Sequence, residues 1–252
     1  MLHTFNLQGK VALVTGCDKG LGQGMALGLA EAGCDIVSVS RSIPQETAEK
    51  VAALGRRMFA IQADLGRPEG IADIVPAAVA AAGRIDILVN NAGTIRREDA
   101  LSFSEKDWDD VMNLNLKSVF FLSQSVAKQF LSQGSGGKII NIASMLSFQG
   151  GIRVPSYTAS KSGVLGITRL LANEWAQHGI NVNAIAPGYM ATNNTQQLRD
   201  DAERSKEILD RIPAGRWGTP DDLKGPVVFL ASSASDYING YTVAVDGGWL
   251  AR

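Results

Sequence analysis

Three side chains in the second half of the chain place a hydroxyl, a phenol and an ammonium at spacings that allow them to meet. Pro155 and Ser156 are typical of a helix start, so Tyr157 and Lys161 are predicted to lie on one helical face, about a turn apart. An ammonium beside a phenol favours the phenolate, which would bring a pKa near ~10 towards the working pH for general acid/base catalysis. Ser144 is predicted to lie at the end of the preceding strand, with its hydroxyl free to hold a reacting oxygen. Read alone, Y-x-x-x-K also occurs by chance on solvated helices.

Alternating strand and helix patterns must position these side chains. Runs rich in Val and Ile predict strands at 10–16, 35–40, 57–64, 86–93, 138–144, 180–188 and 241–248. Helical patterns separate them at 21–33, 44–54, 68–82, 104–133, 157–178 and about 220–232, the fourth being broken or bent near its middle. This order predicts α/β architecture: one doubly wound Rossmann-type domain over residues 1–252, with a seven-stranded parallel sheet and helices on both faces.

Residues 189–217 interrupt that alternation with a polar segment that has only helix-like patches. A late interruption in an α/β chain is a candidate lid over a site at the carboxyl ends of the strands. The alternative is an ordinary long surface excursion.

Composition narrows the class of partner. The 252 residues are 45% apolar and carry a net charge of −1 with no basic run, which offers no electrostatic footprint for nucleic acid or anionic lipid. No apolar run approaches the ~20 residues that span a bilayer, so we expect a small-molecule partner and no membrane. Cys17 and Cys34 fit no disulfide framework or metal spacing and are interpreted as reduced cytoplasmic thiols. His3 and His178 are too far apart to suggest a metal site.

A glycine-rich turn, Thr15 to Gly22, joins the first predicted strand to the first helix. Glycines permit a tight turn and let the backbone approach a pyrophosphate, which the N-terminus of the following helix attracts. The spacing T-G-x-x-x-G-x-G departs from the usual dinucleotide fingerprint G-x-G-x-x-G. Taken alone, this turn is only moderately specific.

Other small and polar residues fall near predicted strand ends or inside a helix. The segment 90–93, Asn-Asn-Ala-Gly, ends the fourth strand, where it either lines a cofactor or forms a simple turn. Pro187-Gly188, followed by Thr192, comes just past the sixth strand. Asn115 is polar within an apolar helical pattern, so its amide is either satisfied by backbone groups or held for a site.

Together these motifs resemble the short-chain dehydrogenase/reductase family, in the family's order and across nearly the whole chain: the glycine turn, NNAG, the inner Asn, Ser thirteen positions before Tyr, Y-x-x-x-K and P-G-x-x-x-T. The resemblance implies a nicotinamide-dependent oxidoreductase with the catalytic tetrad Asn115, Ser144, Tyr157 and Lys161. It implies that Tyr157 donates a proton to a substrate carbonyl as hydride arrives, and accepts it in reverse. By the same analogy Ser144 orients the carbonyl, Lys161 lowers the phenol pKa and holds the nicotinamide ribose, and Asn115 anchors a water.

The resemblance also implies the residues that contact a dinucleotide. They are Gly16, Gly20 and Gly22 at the pyrophosphate, Asp64 and Leu65 at the adenine, Asn91 near the ribose, Pro187 with Thr192 at the carboxamide, and further Lys19, Leu21, Ser40, Arg41, Ala92, Gly93 and Gly188, with Tyr157 and Lys161.

The choice between NAD and NADP rests on the end of the second strand. An acidic residue there would bind the adenine ribose hydroxyls and select NAD, but the chain has Ser40 and Arg41, with Lys19 in the glycine turn. Two cations favour a 2′-phosphate, unless they are ordinary surface charge. Segments such as IASMLSFQGGIRVPSYTASKSGV and APGYMATNNTQQLR are similar to family members that act on deoxy keto sugar acids of pectin and uronate breakdown, chiefly with NAD(H). That closer resemblance implies NAD, with NADP not excluded.

A keto sugar acid carries a carboxylate, which calls for a cation near the catalytic phenol. Arg153 lies four positions before Tyr157, and Arg96 follows NNAG, so either could form a charge-assisted pair with that carboxylate, or instead a salt bridge or subunit contact. The predicted substrate contacts are Arg96, Ser144, Gln149, Arg153, Tyr157, Tyr189, Met190 and Trp217, although Met and Trp more often simply pack.

Two other functions fit the same motifs. A 3-ketoacyl carrier-protein reductase would need an apolar acyl channel, against which the polar residues of 192–206 argue mildly. A non-enzymatic nucleotide-binding protein would not need Ser144, Tyr157 and Lys161 together. The family resemblance further implies a homotetramer with the carboxyl-terminal GGWLAR near an interface.

Overall fold

A single parallel sheet organises the computed structural model, which describes residues 2–252 apart from the side chain of Pro68. Seven strands form this sheet within those residues: β1 Val11–Thr15, β2 Asp35–Ser40, β3 Met58–Gln62, β4 Ile87–Asn90, β5 Gly137–Ile142, β6 Ile180–Pro187 and β7 Thr242–Val245. Their order is β3-β2-β1-β4-β5-β6-β7, and every neighbouring pair is parallel. The predicted fold class is confirmed. The predicted domain 1–252 begins at Met1, which lies outside the described residues.

Helices cover both faces of the sheet because its central strands are apolar on both sides. The α-helices of the described chain are α1 Gly20–Glu31, α2 Gln45–Ala53, α3 Ile71–Ala82, α4 Glu105–Met112, α5 Ser118–Gln133, α6 Pro155–Trp175, α7 Gln196–Asp200, α8 Ala202–Arg211 and α9 Lys224–Ala231. All five residues of β1 are buried. Ala12 and Val14 pack in the core beneath α1 and α9, whereas Val11 and Leu13 pack in the core beneath α3 and α5. No helix among residues 2–252 is both long and apolar enough to cross a membrane.

The predicted break in the long segment 104–133 is a turn of π-helix, Asn113–Lys117, between α4 and α5. A π turn inserts an extra residue into a helix and changes the direction in which side chains point. Asn115 lies in this turn and is fully buried. The polar residue that looked out of place in the helical pattern therefore marks the irregularity itself.

Sheet topology brings the candidate residues to one edge. The strand order reverses between β1 and β4, where the chain crosses from β3 to the other side of β1. At such a switch point the loops after neighbouring strands diverge and leave a crevice for a ligand. The glycine turn begins at the last residue of β1, NNAG at the last residue of β4 and Pro187-Gly188 at the last residue of β6, while Ser144 follows β5, so all four line the same edge.

The segment 189–217 folds largely into α7 and α8 rather than an open loop. Ile208 of α8 and Ile212 just beyond it are buried against Met145 and Trp249. These apolar contacts attach the segment to the end of the chain and to the turn after Ser144. Its role as a lid stays a prediction.

Candidate active site

The phenol and the ammonium share one end of α6, as their spacing predicts. Lys161 is 5% exposed, and its Nζ lies 5.8 Å from the centre of the Tyr157 ring. That Nζ also donates a short hydrogen bond to the carbonyl of Ile142 at the end of β5. The ammonium group that approaches the phenol ring therefore also links Lys161 to the sheet through a hydrogen bond.

Burial dominates the acid strength of both groups. Desolvation raises the pKa of the Tyr157 phenol, while a hydrogen bond with Ser144 and the charge of Arg97 act to lower it. Desolvation also lowers the pKa of the Lys161 ammonium to about 8. The expected fall in the phenol pKa is therefore not the net effect, because desolvation of the phenolate outweighs the hydrogen bond with Ser144 and the charge of Arg97.

Lys161 makes stability depend on pH in a direction opposite to that of most lysines. Its pKa of about 8 lies below its ordinary 10.5, so between those values the unfolded chain holds the proton more tightly than the folded chain. The penalty of about 3 kcal/mol, at about 1.4 kcal/mol per pKa unit, is fully present below pH 8 and disappears as the pH rises towards 10.5. Between pH 8 and 10.5 we therefore expect the unfolding free energy of the wild type to increase relative to that of Lys161→Met.

Urea unfolding of both proteins at several pH values measures this gain. Other titrating groups, including the buried thiols, are common to both chains and cancel in the difference. A constant difference from pH 7 to 10.5 would show that Lys161 has an ordinary pKa.

Ser144 is held by a small capped turn. It begins the turn of 3-10 helix Met145–Ser147, and its hydroxyl accepts a hydrogen bond from the Leu146 amide at 3.2 Å. Ser147 closes the turn by accepting from the Ser144 amide and donates to the carbonyl of Lys161 at 2.7 Å. The turn is therefore fastened to α6, which fixes Ser144 relative to Tyr157.

Asn115 uses its amide to hold the loop after β4. Its Oδ1 accepts from the Thr94 amide and its Nδ2 donates to the Thr94 carbonyl, both at 2.8 Å. Nδ2 also lies 3.3 Å from the Ser160 hydroxyl of α6. Of the two alternatives, satisfaction by backbone groups is observed, and the water-anchoring role stays a prediction.

The glycine turn packs too closely for a side chain at Gly22, and Gly20 adopts the left-handed backbone that glycine favours. A Cβ at Gly22 would lie 2.2 Å from the carbonyl oxygen of Gly16, and Gly20 has a φ of +57°. Lys19 at the start of α1 supplies no capping side-chain hydrogen bond, so the first-turn amides remain available to an anion. These features fit a nicotinamide dinucleotide, whose pyrophosphate the first-turn amides of α1 would bind.

Asn91 forms hydrogen bonds to the glycine turn that its sequence context did not predict. Its Nδ2 donates to the carbonyls of Thr15 and Gly16, each at 2.9 Å. In return, the Thr15 hydroxyl accepts from the amides of Asn91 and Ala92. Asn91 thereby shapes the glycine turn from the end of the neighbouring strand.

A cleft of about 1790 Å³ runs along this edge of the sheet and collects most of the predicted contacts. It is lined by Gly16, Lys19, Gly20, Leu21, Gly22, Ser40, Arg41, Asp64, Leu65, Asn91, Ala92, Gly93, Pro187, Gly188 and Thr192, with Ser144, Tyr157 and Lys161 between its two halves. Ser40 donates to the carbonyl of Ser42, and Arg41 is exposed. Leu65 is buried, whereas Asp64 is exposed. These placements agree with the dinucleotide half of the prediction, whose contacts stay predictions.

The half of the cleft predicted to bind substrate is lined by a set of residues that differs in part from the predicted one. Gln149, Tyr189 and Met190 line the cleft, but Trp217 does not; it packs edge-on against Tyr189 with ring centres 5.5 Å apart. Trp249 lines the cleft instead, with its ring centre 4.8 Å from that of Tyr189. No sequence motif identifies Trp249, since its place depends on how the chain returns after β7.

The arginines near the phenol are not equivalent. Arg96 is ion-paired with Asp107 and Asp110 of α4, at 3.2 and 3.5 Å. Arg153 lies 3.7 Å from Glu98 and 3.4 Å from Asp99.

Arg97, next to Arg96 in the loop after β4, lines the cleft and donates to the carbonyl of Asn194 at 3.2 Å. It has no carboxylate within ion-pairing distance in the described part of the chain. No sequence motif assigns a role to Arg97, although it lies beside a predicted ligand.

Comparison with known proteins agrees with this geometry. A family model described as short chain dehydrogenase matches residues 10–203. A 2-dehydro-3-deoxy-D-gluconate 5-dehydrogenase of Dickeya dadantii is 77% identical over 252 residues, and one of Escherichia coli is 76% identical, each alignment covering 100% of both chains. A crystal structure from Agrobacterium tumefaciens, provisionally assigned as a 2-deoxy-D-gluconate 3-dehydrogenase with bound NADP, is 56% identical with a TM-score of 0.94. It covers 99% of this chain and 100% of its own.

Proposed function

The chain belongs to the short-chain dehydrogenase family and is an NAD(P)-dependent oxidoreductase; from this premise we propose that it interconverts 2-dehydro-3-deoxy-D-gluconate and 3-deoxy-D-glycero-2,5-hexodiulosonate in uronate and pectin catabolism. We include 2-deoxy-D-gluconate as a further substrate. The full-length likeness to named sugar-acid dehydrogenases supports this choice. The structural observation that carries it is an unpaired cation, Arg97, in the same cleft as the candidate proton donor, Tyr157.

The candidate catalytic groups are arranged for proton transfer to a ketone. Tyr157 donates its proton to the carbonyl oxygen in reduction and takes it from the alcohol in oxidation. Ser144, fixed by its capped turn, directs its hydroxyl to that oxygen beside the phenol. Lys161 places a positive charge 5.8 Å from the centre of the Tyr157 ring and would hold the nicotinamide ribose when a cofactor is bound. A bound nicotinamide supplies or accepts the hydride.

Arg97 is our candidate for the carboxylate ligand. Arg96 and Arg153, the two expected ligands, already face carboxylates of the protein, so binding substrate would require them to give up existing ion pairs. Arg97 would exchange only a hydrogen bond to a backbone carbonyl. A guanidinium–carboxylate pair is charge-assisted and frequently bidentate, so it also orients the substrate.

A panel of ketones tests the substrate class. Nicotinamide absorbance would follow reduction of 3-deoxy-D-glycero-2,5-hexodiulosonate, of a keto sugar without the carboxylate, and of a 3-ketoacyl thioester. We expect kcat/KM for the keto acid to exceed the other two by about 100-fold, as one charge-assisted contact allows. A preference for the thioester would favour the 3-ketoacyl reductase, and tight nucleotide binding without turnover of any ketone would favour a non-enzymatic protein.

For the cofactor we propose NAD(H) as the main partner, with NADP(H) also accepted. No carboxylate stands at Ser40 or Arg41 to repel a 2′-phosphate, and both residues line the cleft. The exposed Arg41 guanidinium can pair with the 2′-phosphate of NADP, and NAD, which lacks that phosphate, does not require it for binding.

The change Arg41→Ala separates the two cofactors. It is expected to lower kcat/KM for NADPH about tenfold, through loss of one charge-assisted contact, and to leave that for NADH within about twofold. Initial rates with each cofactor on the same keto acid provide the comparison, and Arg67→Ala serves as a control because Arg67 lines the same half of the cleft beside Asp64. A large NADPH advantage in the wild type would overturn the choice of NAD.

We also propose a cytoplasmic homotetramer. Support for the compartment comes from the two buried, unpaired thiols Cys17 and Cys34.

Support for the tetramer comes from the family resemblance and from apolar side chains exposed on neighbouring helices, Phe121 of α5 at 42% and Leu170 of α6 at 47%. Light scattering should give about four times 26.7 kDa, and a monomeric mass would refute the tetramer.

A further inference from the structure

Arg153 has the only left-handed backbone among the non-glycine residues that the structure describes, with a φ of +62°. A long side chain rarely adopts this conformation, which persists only where surrounding contacts impose it. Arg153 lies two residues before the start of α6 and four before Tyr157. The contacts that hold Arg153 therefore also control how the chain enters the catalytic helix.

Those contacts join two loops that are distant in sequence. The carbonyl of Arg153 accepts a hydrogen bond from the Glu98 amide at 3.0 Å. Its guanidinium faces the carboxylates of Glu98 and Asp99. We refer to Arg153, Glu98 and Asp99 as the loop clamp.

The clamp is the last of three attachments along residues 94–99. Asn115 holds Thr94 through two backbone hydrogen bonds, and α4 holds Arg96 through two ion pairs. The clamp then holds Glu98 and Asp99. Arg97, between the second and third attachments, is the cation that this loop leaves without a carboxylate partner among the described residues.

We propose that the loop clamp positions Arg97 for the substrate carboxylate, so that Arg153 is a positioning residue and not a ligand. This inference rests on the proposed function. It reverses the simplest interpretation of an arginine near a catalytic tyrosine, in which Arg153 itself binds the substrate.

The two roles predict opposite results when the acidic partners of Arg153 are neutralised. If Arg153 bound the carboxylate, the double variant Glu98→Gln/Asp99→Asn would release its guanidinium and lower KM for the keto acid. If the clamp positions Arg97, the same variant loosens the loop and raises that KM, by about threefold, since exposed ion pairs are individually weak. In the clamp role kcat and KM for the nucleotide change by less than twofold.

A matched variant controls for the loss of two negative charges near the cleft. Glu105→Gln/Asp109→Asn removes two carboxylates from the exposed face of the adjoining α4 and leaves the clamp intact. It should leave KM for the keto acid unchanged or slightly lower.

A double-mutant cycle with Arg97→Ala completes the kinetic test. Once Arg97 is absent, loosening the clamp should raise KM no further. Additive effects would overturn the proposal, as would a fall in KM for Glu98→Gln/Asp99→Asn beyond that of the control.

A measurement without substrate separates this proposal from the proposed function. Hydrogen exchange at the residue-98 amide, corrected for the intrinsic exchange rate of each sequence, should accelerate at least threefold in Glu98→Gln/Asp99→Asn relative to the wild type, whichever ketone is turned over. Failure of the wild type to reduce the keto acid would refute the proposed substrate, whereas unchanged exchange at Glu98 would refute the clamp.

Discussion

The change Tyr157→Phe is expected to lower kcat about 10³-fold for reduction of the keto acid, because it removes the proton donor and leaves the ring. The aromatic ring keeps its contact with the Lys161 ammonium, so the pocket loses one oxygen atom and little packing. We therefore expect KM for the nucleotide and the thermal midpoint to change little. Stopped-flow and steady-state rates in both directions measure the effect.

Tyr189 offers the matched control for this change. It lines the same cleft, but its ring belongs to an aromatic cluster with Trp217 and Trp249. Tyr189→Phe should retain kcat within about threefold, since it removes no proton donor from the reacting carbonyl. If Tyr157→Phe kept a tenth or more of the wild-type kcat, another group would have to supply the proton.

The raised pKa of the Tyr157 phenol determines how the rate of alcohol oxidation should depend on pH. Oxidation of the alcohol needs the phenolate, and desolvation raises the pKa of Tyr157 despite the hydrogen bond with Ser144 and the charge of Arg97. Oxidation should therefore accelerate as the pH rises, whereas reduction, which uses the protonated phenol, should not.

Local patterns were sufficient for the parts of the fold that depend on nearby residues. Pro155 begins α6, and four-residue spacing places Tyr157 and Lys161 at one end of it. The break predicted near the middle of 104–133 is the π turn, and Asn115, which the sequence marked only as an amide in need of partners, lies within it. Seven apolar runs in alternation with helices were enough to predict the parallel sheet.

What the sequence could not predict depends on residues that meet only in the folded chain. The partners of Arg153 lie more than fifty positions away, so its ion pairs could not be distinguished from a ligand role. Trp249 reaches the cleft only because β7 returns the chain beneath α8. The raised pKa of Tyr157 follows from desolvation of the phenol in the folded chain, which no spacing in the sequence indicates.

The second large effect is expected at Arg97. Arg97→Ala should raise KM for the keto acid by about 30-fold, the equivalent of about 2 kcal/mol, because the substrate carboxylate loses a charge-assisted pair. The variant Arg97→Lys keeps the charge but not the planar fork, so its KM should fall between those of the wild type and Arg97→Ala. For a keto sugar without a carboxylate, all three proteins should have similar KM values.

A change in the pH profile distinguishes this role from a structural one. Desolvation raises the pKa of Tyr157 and the positive charge of Arg97 lowers it, so losing that charge should move the oxidation profile to higher pH in Arg97→Ala but not in Arg97→Lys. Arg96→Ala is the comparison: it removes a paired cation that helps to hold the same loop, so it should raise KM only by about threefold, as loosening the clamp does, and leave the pH profile in place. A large rise in KM for Arg96→Ala, with none for Arg97→Ala, would show that Arg96 binds the substrate carboxylate and that Arg97 does not.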